Sequence, residues 1–319
     1  MTAKHPPEFA WKDGHLIAWD DCTVHVRSQA GFFGANVFEG VRGYWSDDRE
    51  QLYLFRMDTH FERLALSMKV MRLEVGYTAD DMLAGVIETI RANGFREHLQ
   101  CNVVAHFGLN LDQDPLYPTS NTGVHITAIR FPRSPKTEAG IHACIPSWRR
   151  ISDSTVPPRV KVGANYQNSR LAANEARING YDMPIILNER GTIAEGPGSC
   201  LFMLREGRLH TPAVTDGILE SITRDTLIVF ARDILGIEVV ERSIDRTELY
   251  AADEVLMCGS IAEVTPVISV DRLPVGRGTV GPVATALRDL YFRALIGDLP
   301  GYEHWLTPVY DAAALRRTA

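Results

Sequence analysis

Lysine is nearly missing from this chain. Of 33 basic residues in 319, only Lys4, Lys12, Lys69, Lys136 and Lys161 are lysines. Acidic residues number 40, and the resulting net charge of −7 argues against a nucleic-acid partner, which needs a basic face. Cysteine is sparse as well. Cys22, Cys101, Cys144, Cys200 and Cys258 are odd in number, widely spaced and set in apolar segments, with no C-x-x-C pair. They read as reduced core residues of a cytoplasmic protein, not as a disulfide framework or a metal knuckle. The ten histidines form no H-E-x-x-H. No apolar run reaches the roughly 18 residues of a membrane span, and the first seven residues lack the apolar stretch of a signal peptide, so secretion is not expected. Internal repeats and low-complexity tracts are absent. What remains is ordinary for a globular enzyme: 45% hydrophobic and 23% charged residues, in a length that suits two domains.

Alternation predicts short strands at His15–Trp19, Thr23–Val26, Val37–Tyr44 and Gln51–Arg56, with Asp47-Asp48 turning between the last two. Asp58 is expected to cap a helix that buries Phe61, Leu64, Ala65 and Met68 and leaves Arg63 off that face. Thr78 opens a second helix, with Leu83, Ile87 and Ile90 inward and Gly94 as its stop. Strands follow at Gln100–Phe107 and Val124–Phe131, and the loop Asp112–Asn121 between them is long enough to reach a site. Pro132-Arg133-Ser134-Pro135-Lys136 is the best linker in the chain. The expected division is therefore residues 1–131, a linker over 132–140, and a second domain over 141–319. That second domain reads as strands at Ile141–Ile145, Ile185–Leu187, Leu201–Leu204, Glu254–Cys258 and Val264–Val270. Its helices are Gln167–Asn179, Ser221–Leu235 and Val283–Ile296.

Four lysines have plain explanations: two lie in the N-terminal segment, one in a charged helical stretch and one in the linker. Lys161 sits instead among Val160, Val162, Gly163 and Ala164. An amine in apolar surroundings loses charge stabilisation, which makes its neutral, nucleophilic form available. An isolated lysine is ordinarily a solvated surface residue, so the neighbouring sequence has to decide. It contains Ala194-Glu195-Gly196-Pro197-Gly198, a carboxylate in a glycine-rich turn, and Ser221-Ile222-Thr223-Arg224, whose first-turn amides and dipole suit an anion.

Together, Lys161-Val162-Gly163-Ala164-Asn165-Tyr166, Ser147-Trp148-Arg149-Arg150, these two motifs and Cys258-Gly259-Ser260-Ile261-Ala262-Glu263-Val264-Thr265-Pro266 resemble the class IV pyridoxal-phosphate aminotransferases. The branched-chain group is the most similar, and the resemblance runs from about Trp11 to Tyr310. It implies an α/β (α+β) fold of two domains, a smaller N-terminal one and a larger C-terminal cofactor-binding one with a barrel-like sheet, usually in a homodimer.

By the same resemblance Lys161 forms the Schiff base with pyridoxal 5'-phosphate. An incoming amine displaces it, and the freed lysine carries the proton between Cα and C4′. Hydrolysis releases a keto acid, and the reverse half-reaction with a second keto acid makes the kinetics ping-pong. Glu195 partners the pyridine nitrogen, which keeps the ring electron-accepting. Tyr166 lies beside the ring oxygen. The phosphate falls to Arg63, Ile222, Thr223 and Ser260, and the substrate to Phe33, Phe38, Arg42, Gln100, Asn102, Ile261 and Ala262.

The chain departs from the branched-chain pattern in its first domain. Phe33 stands where tyrosine is common. Gln100-Cys101-Asn102 falls, counting back from Gly108, where Tyr-x-Arg helps bind the distal carboxylate of 2-oxoglutarate. A neutral amide has neither the charge nor the fork of a guanidinium, which counts against 2-oxoglutarate as the preferred acceptor. Asparagine at the second position also occurs in sequences similar to (R)-selective amine transaminases. That activity, a D-amino-acid transaminase or a lyase similar to aminodeoxychorismate lyase is the alternative. A silent cofactor-binding scaffold is disfavoured by the intact Lys161, Glu195 and Tyr166.

Overall fold

The computed structural model describes residues 6–111, 116–117 and 119–310. Part of the loop expected at Asp112–Asn121, residues 112–115 and 118, lies outside the described residues. The chain divides into two compact units. The first runs through Pro132 and also takes Val160–Ala164 and the stretch from Ala294 onward; the second is Arg133–Arg159 with Asn165–Arg293. Lys161 thus belongs to the first unit, although its neighbours in sequence belong to the second.

The first unit is a seven-stranded antiparallel sheet in the order Leu306–Pro308, Gln51–Phe55, Asn36–Ser46, Leu99–Phe107, Thr122–Arg130, Phe9–Lys12, His15–Ala18. Side chains alternate across the pleat. Val37, Val41, Val103, Ala105, Val124 and Ile126 are buried in one core with Phe61, Leu64, Val86 and Ile90 of the helices Met57–Met71 and Ala79–Ala92. Thr78 caps the second helix as expected, in a capping box with Asp81. The first helix starts one residue before Asp58, from Arg56 in the left-handed region, so Asp58 belongs to its first turn and is not the cap. Thr23–Val26 forms no strand: its apolar residues alternate, but it has no neighbouring strand to pair with.

Strand length matters for the site. Gln51–Phe55 pairs only with the Gly43–Ser46 end of the long strand. The edge beside Val37 and Phe38 is left for the segment at 160–162, where Val162 bridges Val37 and the Phe38 N–H donates to the Lys161 carbonyl at 3.0 Å.

The second unit is built on a mixed sheet. Its central strands are Cys200–Arg205, Glu254–Gly259 and Glu263–Val270, flanked by Arg208–Thr211 and Val239–Glu241 on one side and Ile141–Cys144 and Met183–Pro184 on the other. Ile186–Leu187 and Ile193–Glu195 form a separate two-stranded ribbon. Ile141, Ile185, Ile193, Leu201, Met203, Val255, Met257 and Val267 make its core. The helices are Lys136–Ala139, Tyr166–Ile178, Ile222–Asp233 and Pro282–Leu295. The stretch read as a linker therefore contains a short helix, and Lys136 is paired with Asp182 at 2.6 Å.

Candidate active site

In the first unit, Lys161 is fixed by its backbone. Its N–H donates to Ser67 Oγ at 3.2 Å, its carbonyl accepts from Phe38, and its ammonium lies 4.8 Å from the centre of the Phe38 ring. Phe38 and Glu39 are consecutive on one strand and so face opposite ways. Glu39 is fully buried against the helix Met57–Met71. Its Oε1 accepts from Arg63 Nε, and its Oε2 accepts from Arg63 Nη2 and pairs with His60 Nδ1, all at 2.7 Å. Burial alone would raise the Glu39 carboxyl, but the charge and hydrogen bonds of Arg63 and the bond from His60 bring it down to about 2. Burial lowers His60 in turn. His60, Arg63 and Ser67 lie three and four residues apart, so one helix face serves both Glu39 and Lys161. The resemblance named Arg63, but the pairing of Glu39 with His60 and Arg63 depends on a strand 21 and 24 residues away and was not legible.

Of the substrate residues, Phe38 and Arg42 share one sheet face with Gly40, and Gly40 and Arg42 lie opposite Asn102 and Gln100. Gln100 Nε2 donates to Asn102 Oδ1 at 3.2 Å, and both amides lie over Gly40, where a Cβ would meet them at 3.5–3.9 Å. Arg42 is buried, donates to the Phe131 carbonyl at 2.5 Å and stacks on Tyr44 and Phe131. Phe33 ends the short helix Gln29–Phe33 and packs edge-on against Phe32.

In the second unit, Glu195 is only 4% exposed at the end of a strand. Its Oε1 meets Arg150 Nη2 at 2.7 Å; its Oε2 accepts from the Leu219 N–H at 3.1 Å and faces Cys200 Sγ at 3.9 Å. Arg150 was quoted in the sequence only as part of a motif. Its link to Glu195 spans 45 positions, which no local pattern reveals. Two residues beyond Leu219, Ser221 caps the helix Ile222–Asp233 by accepting from the Arg224 N–H, so Ile222 and Thr223 form its first turn. Thr223 Oγ1 lies 3.4 Å from the Tyr291 hydroxyl.

Ser260, Ile261 and Ala262 form the turn between two paired strands, Glu254–Gly259 and Glu263–Val270. Glycine is required beside that turn: a Cβ on Gly259 would come 2.7 Å from the Gly198 carbonyl. Gly198 in turn lies against the Tyr166 ring. The Glu195 turn, the Ser260 turn and Tyr166 are thus in contact within this unit. Among the described residues no cluster of acids, cysteines and histidines could hold a metal.

The amino-transferase class IV profile matches residues 36–270. The branched-chain-amino-acid aminotransferase of Salmonella typhimurium is 38% identical over 314 residues, 97% of this chain and 99% of that protein. A Thermobaculum terrenum branched-chain amino acid aminotransferase, solved in its PLP form, superposes with a TM-score of 0.89 at 41% identity and covers 96% of this chain and 99% of its own. The Thermoproteus uzoniensis branched-chain aminotransferase, solved with norvaline, gives 0.89 at 43% identity, with 95% and 100% covered. The chain belongs to the class IV aminotransferases.

Proposed function

We propose that this chain is a pyridoxal-phosphate-dependent aminotransferase acting on aliphatic, branched-chain L-amino acids and 2-keto acids. The observation that carries the reading is Lys161, held by its own backbone between Ser67 and Phe38 with its amine over an aromatic ring. The residues present fit the cofactor. A buried carboxylate with an ionic partner suits a protonated ring nitrogen, and Gly259 lets the Ser260 turn approach the Gly198 carbonyl, which a Cβ would meet at 2.7 Å. A twelve-residue helix presents its N-terminus for a phosphate.

When bound, pyridoxal phosphate supplies an aldehyde that takes up the amino group and a ring that accepts the electrons released at Cα. Lys161 supplies the amine that anchors it and then moves the proton at Cα. Glu195 holds the proton at the ring nitrogen, and Tyr166 orients the ring through its phenol. Arg63, Ile222, Thr223 and Ser260 bind the phosphate. The Arg63 fork spends Nε and Nη2 on Glu39, which fixes the direction of the remaining guanidinium edge. Phe33, Phe38, Arg42, Gln100, Asn102, Ile261 and Ala262 bind substrate, and the aromatic members suit an apolar side chain.

A second reading, an (R)-amine or D-amino-acid transaminase, is favoured by one observation: the neutral Gln100–Asn102 pair on the strand beside Gly40. The test is a half-reaction scan in which the cofactor-loaded protein meets L-leucine, D-alanine or (R)-1-phenylethylamine singly and loss of the cofactor's starting absorbance is followed. Fast conversion by L-leucine alone is expected. Preferential conversion by either of the others would assign the second reading instead.

A further inference from the structure

We propose that Arg150 is a positioning residue that keeps the proton on the cofactor's ring nitrogen by holding Glu195 in its ionised form. The inference rests on the reading of Glu195 as partner of that nitrogen and adds a charge behind it. Arg150 and Glu195 side chains are each 6% exposed, and Nη2 meets Oε1 at 2.7 Å. In such a site a carboxylate without a counter-charge takes up a proton rather than stay ionised. The Leu219 N–H and the Cys200 thiol on Oε2 are neutral donors, so Arg150 supplies the formal positive charge in this contact set.

One proton is at issue, shared between Glu195 and the ring nitrogen. Arg150 is bonded to the carboxylate, so its charge stabilises the arrangement in which the carboxylate is bare and the nitrogen carries the proton. Without it the proton moves to Glu195, and the ring accepts electrons less well. No electron transfer or co-reactant is involved. Arg150 is itself anchored: its N–H donates to the Leu187 carbonyl at 2.8 Å and its Nε to the Gly217 carbonyl at 3.4 Å. The guanidinium therefore approaches Glu195 from a fixed direction.

The experiment is ¹⁵N NMR of the holoenzyme carrying pyridoxal phosphate labelled at the ring nitrogen. Wild type and Arg150→Lys are expected to show the protonated signal, whereas Arg150→Met shifts it to the unprotonated position and lowers kcat at least about tenfold. Arg150→Gln, which keeps hydrogen-bond donors without charge, carries the same expectation should the methionine variant not fold. A protonated signal in whichever neutral variant folds would overturn the proposal. Glu195→Gln is the separate control. If it leaves the signal unchanged, the assignment of Glu195 itself fails; if it shifts the signal while the neutral Arg150 variant does not, only the role of Arg150 fails.

Discussion

Glu39 is fully buried and holds both His60 and Arg63. Its carboxyl falls from an ordinary 4.5 to about 2. A lowered folded-state value means that the stabilisation is complete above about 4.5 and is lost as the pH falls toward 2. Replacing it leaves Arg63 as a buried charge without its fork partner. Glu39→Ala is therefore expected to cost about 3–5 kcal/mol at pH 7. The difference from wild type should shrink as the pH is lowered through that window. Urea unfolding at pH 7 and pH 3 measures both, and an equal loss at the two values would contradict the pairing. Lys161 could be read from the sequence because lysine is so rare and its neighbours are small and apolar. Arg150 and Glu39 could not, since each acquires its meaning from a partner on another element.

Among the elements, those with local signals were legible. The helix Ala79–Ala92 announces itself by Thr78, its inward apolar residues and Gly94, and Ile222–Asp233 by Ser221 and its apolar face. Short strands such as Arg208–Thr211 and Val239–Glu241 were missed because pairing, not pattern, defines them. The short helix Gln29–Phe33 was not read from the sequence, and the segment around Tyr117 was read only as part of the loop Asp112–Asn121. Gln29 Nε2 ties them by donating to the Tyr117 carbonyl at 2.6 Å. Phe32 at 73% and Leu111 at 85% exposure, with Val26, Leu116 and Tyr117, are exposed large apolar side chains in or beside these two segments. So much exposed apolar surface on one pair of segments is characteristic of an interface. The family resemblance carries the expectation of a homodimer, and a second copy of this chain over this surface is what that expectation predicts. Sedimentation equilibrium should give twice the chain mass, and a Phe32→Asp/Leu111→Asp variant should give the monomer. A dimer unaffected by both changes would place the interface elsewhere.

For the whole molecule, the division of the chain is what sequence could not show. A linear reading put a linker over residues 132–140 between two continuous domains, whereas the segment carrying Lys161 returns to the first unit for five residues, Val160–Ala164. The cause is the uncovered edge beside Val37 and Phe38, which takes up that segment through backbone hydrogen bonds. Covalent attachment of the cofactor at Lys161 is the central claim. The most direct measurement is borohydride reduction of the cofactor-loaded protein followed by peptide mass mapping. The reduced adduct is expected on Lys161, with Lys161→Ala folded but unlabelled and without turnover. An adduct on Lys12, Lys69 or Lys136, or turnover retained by Lys161→Ala, would contradict it.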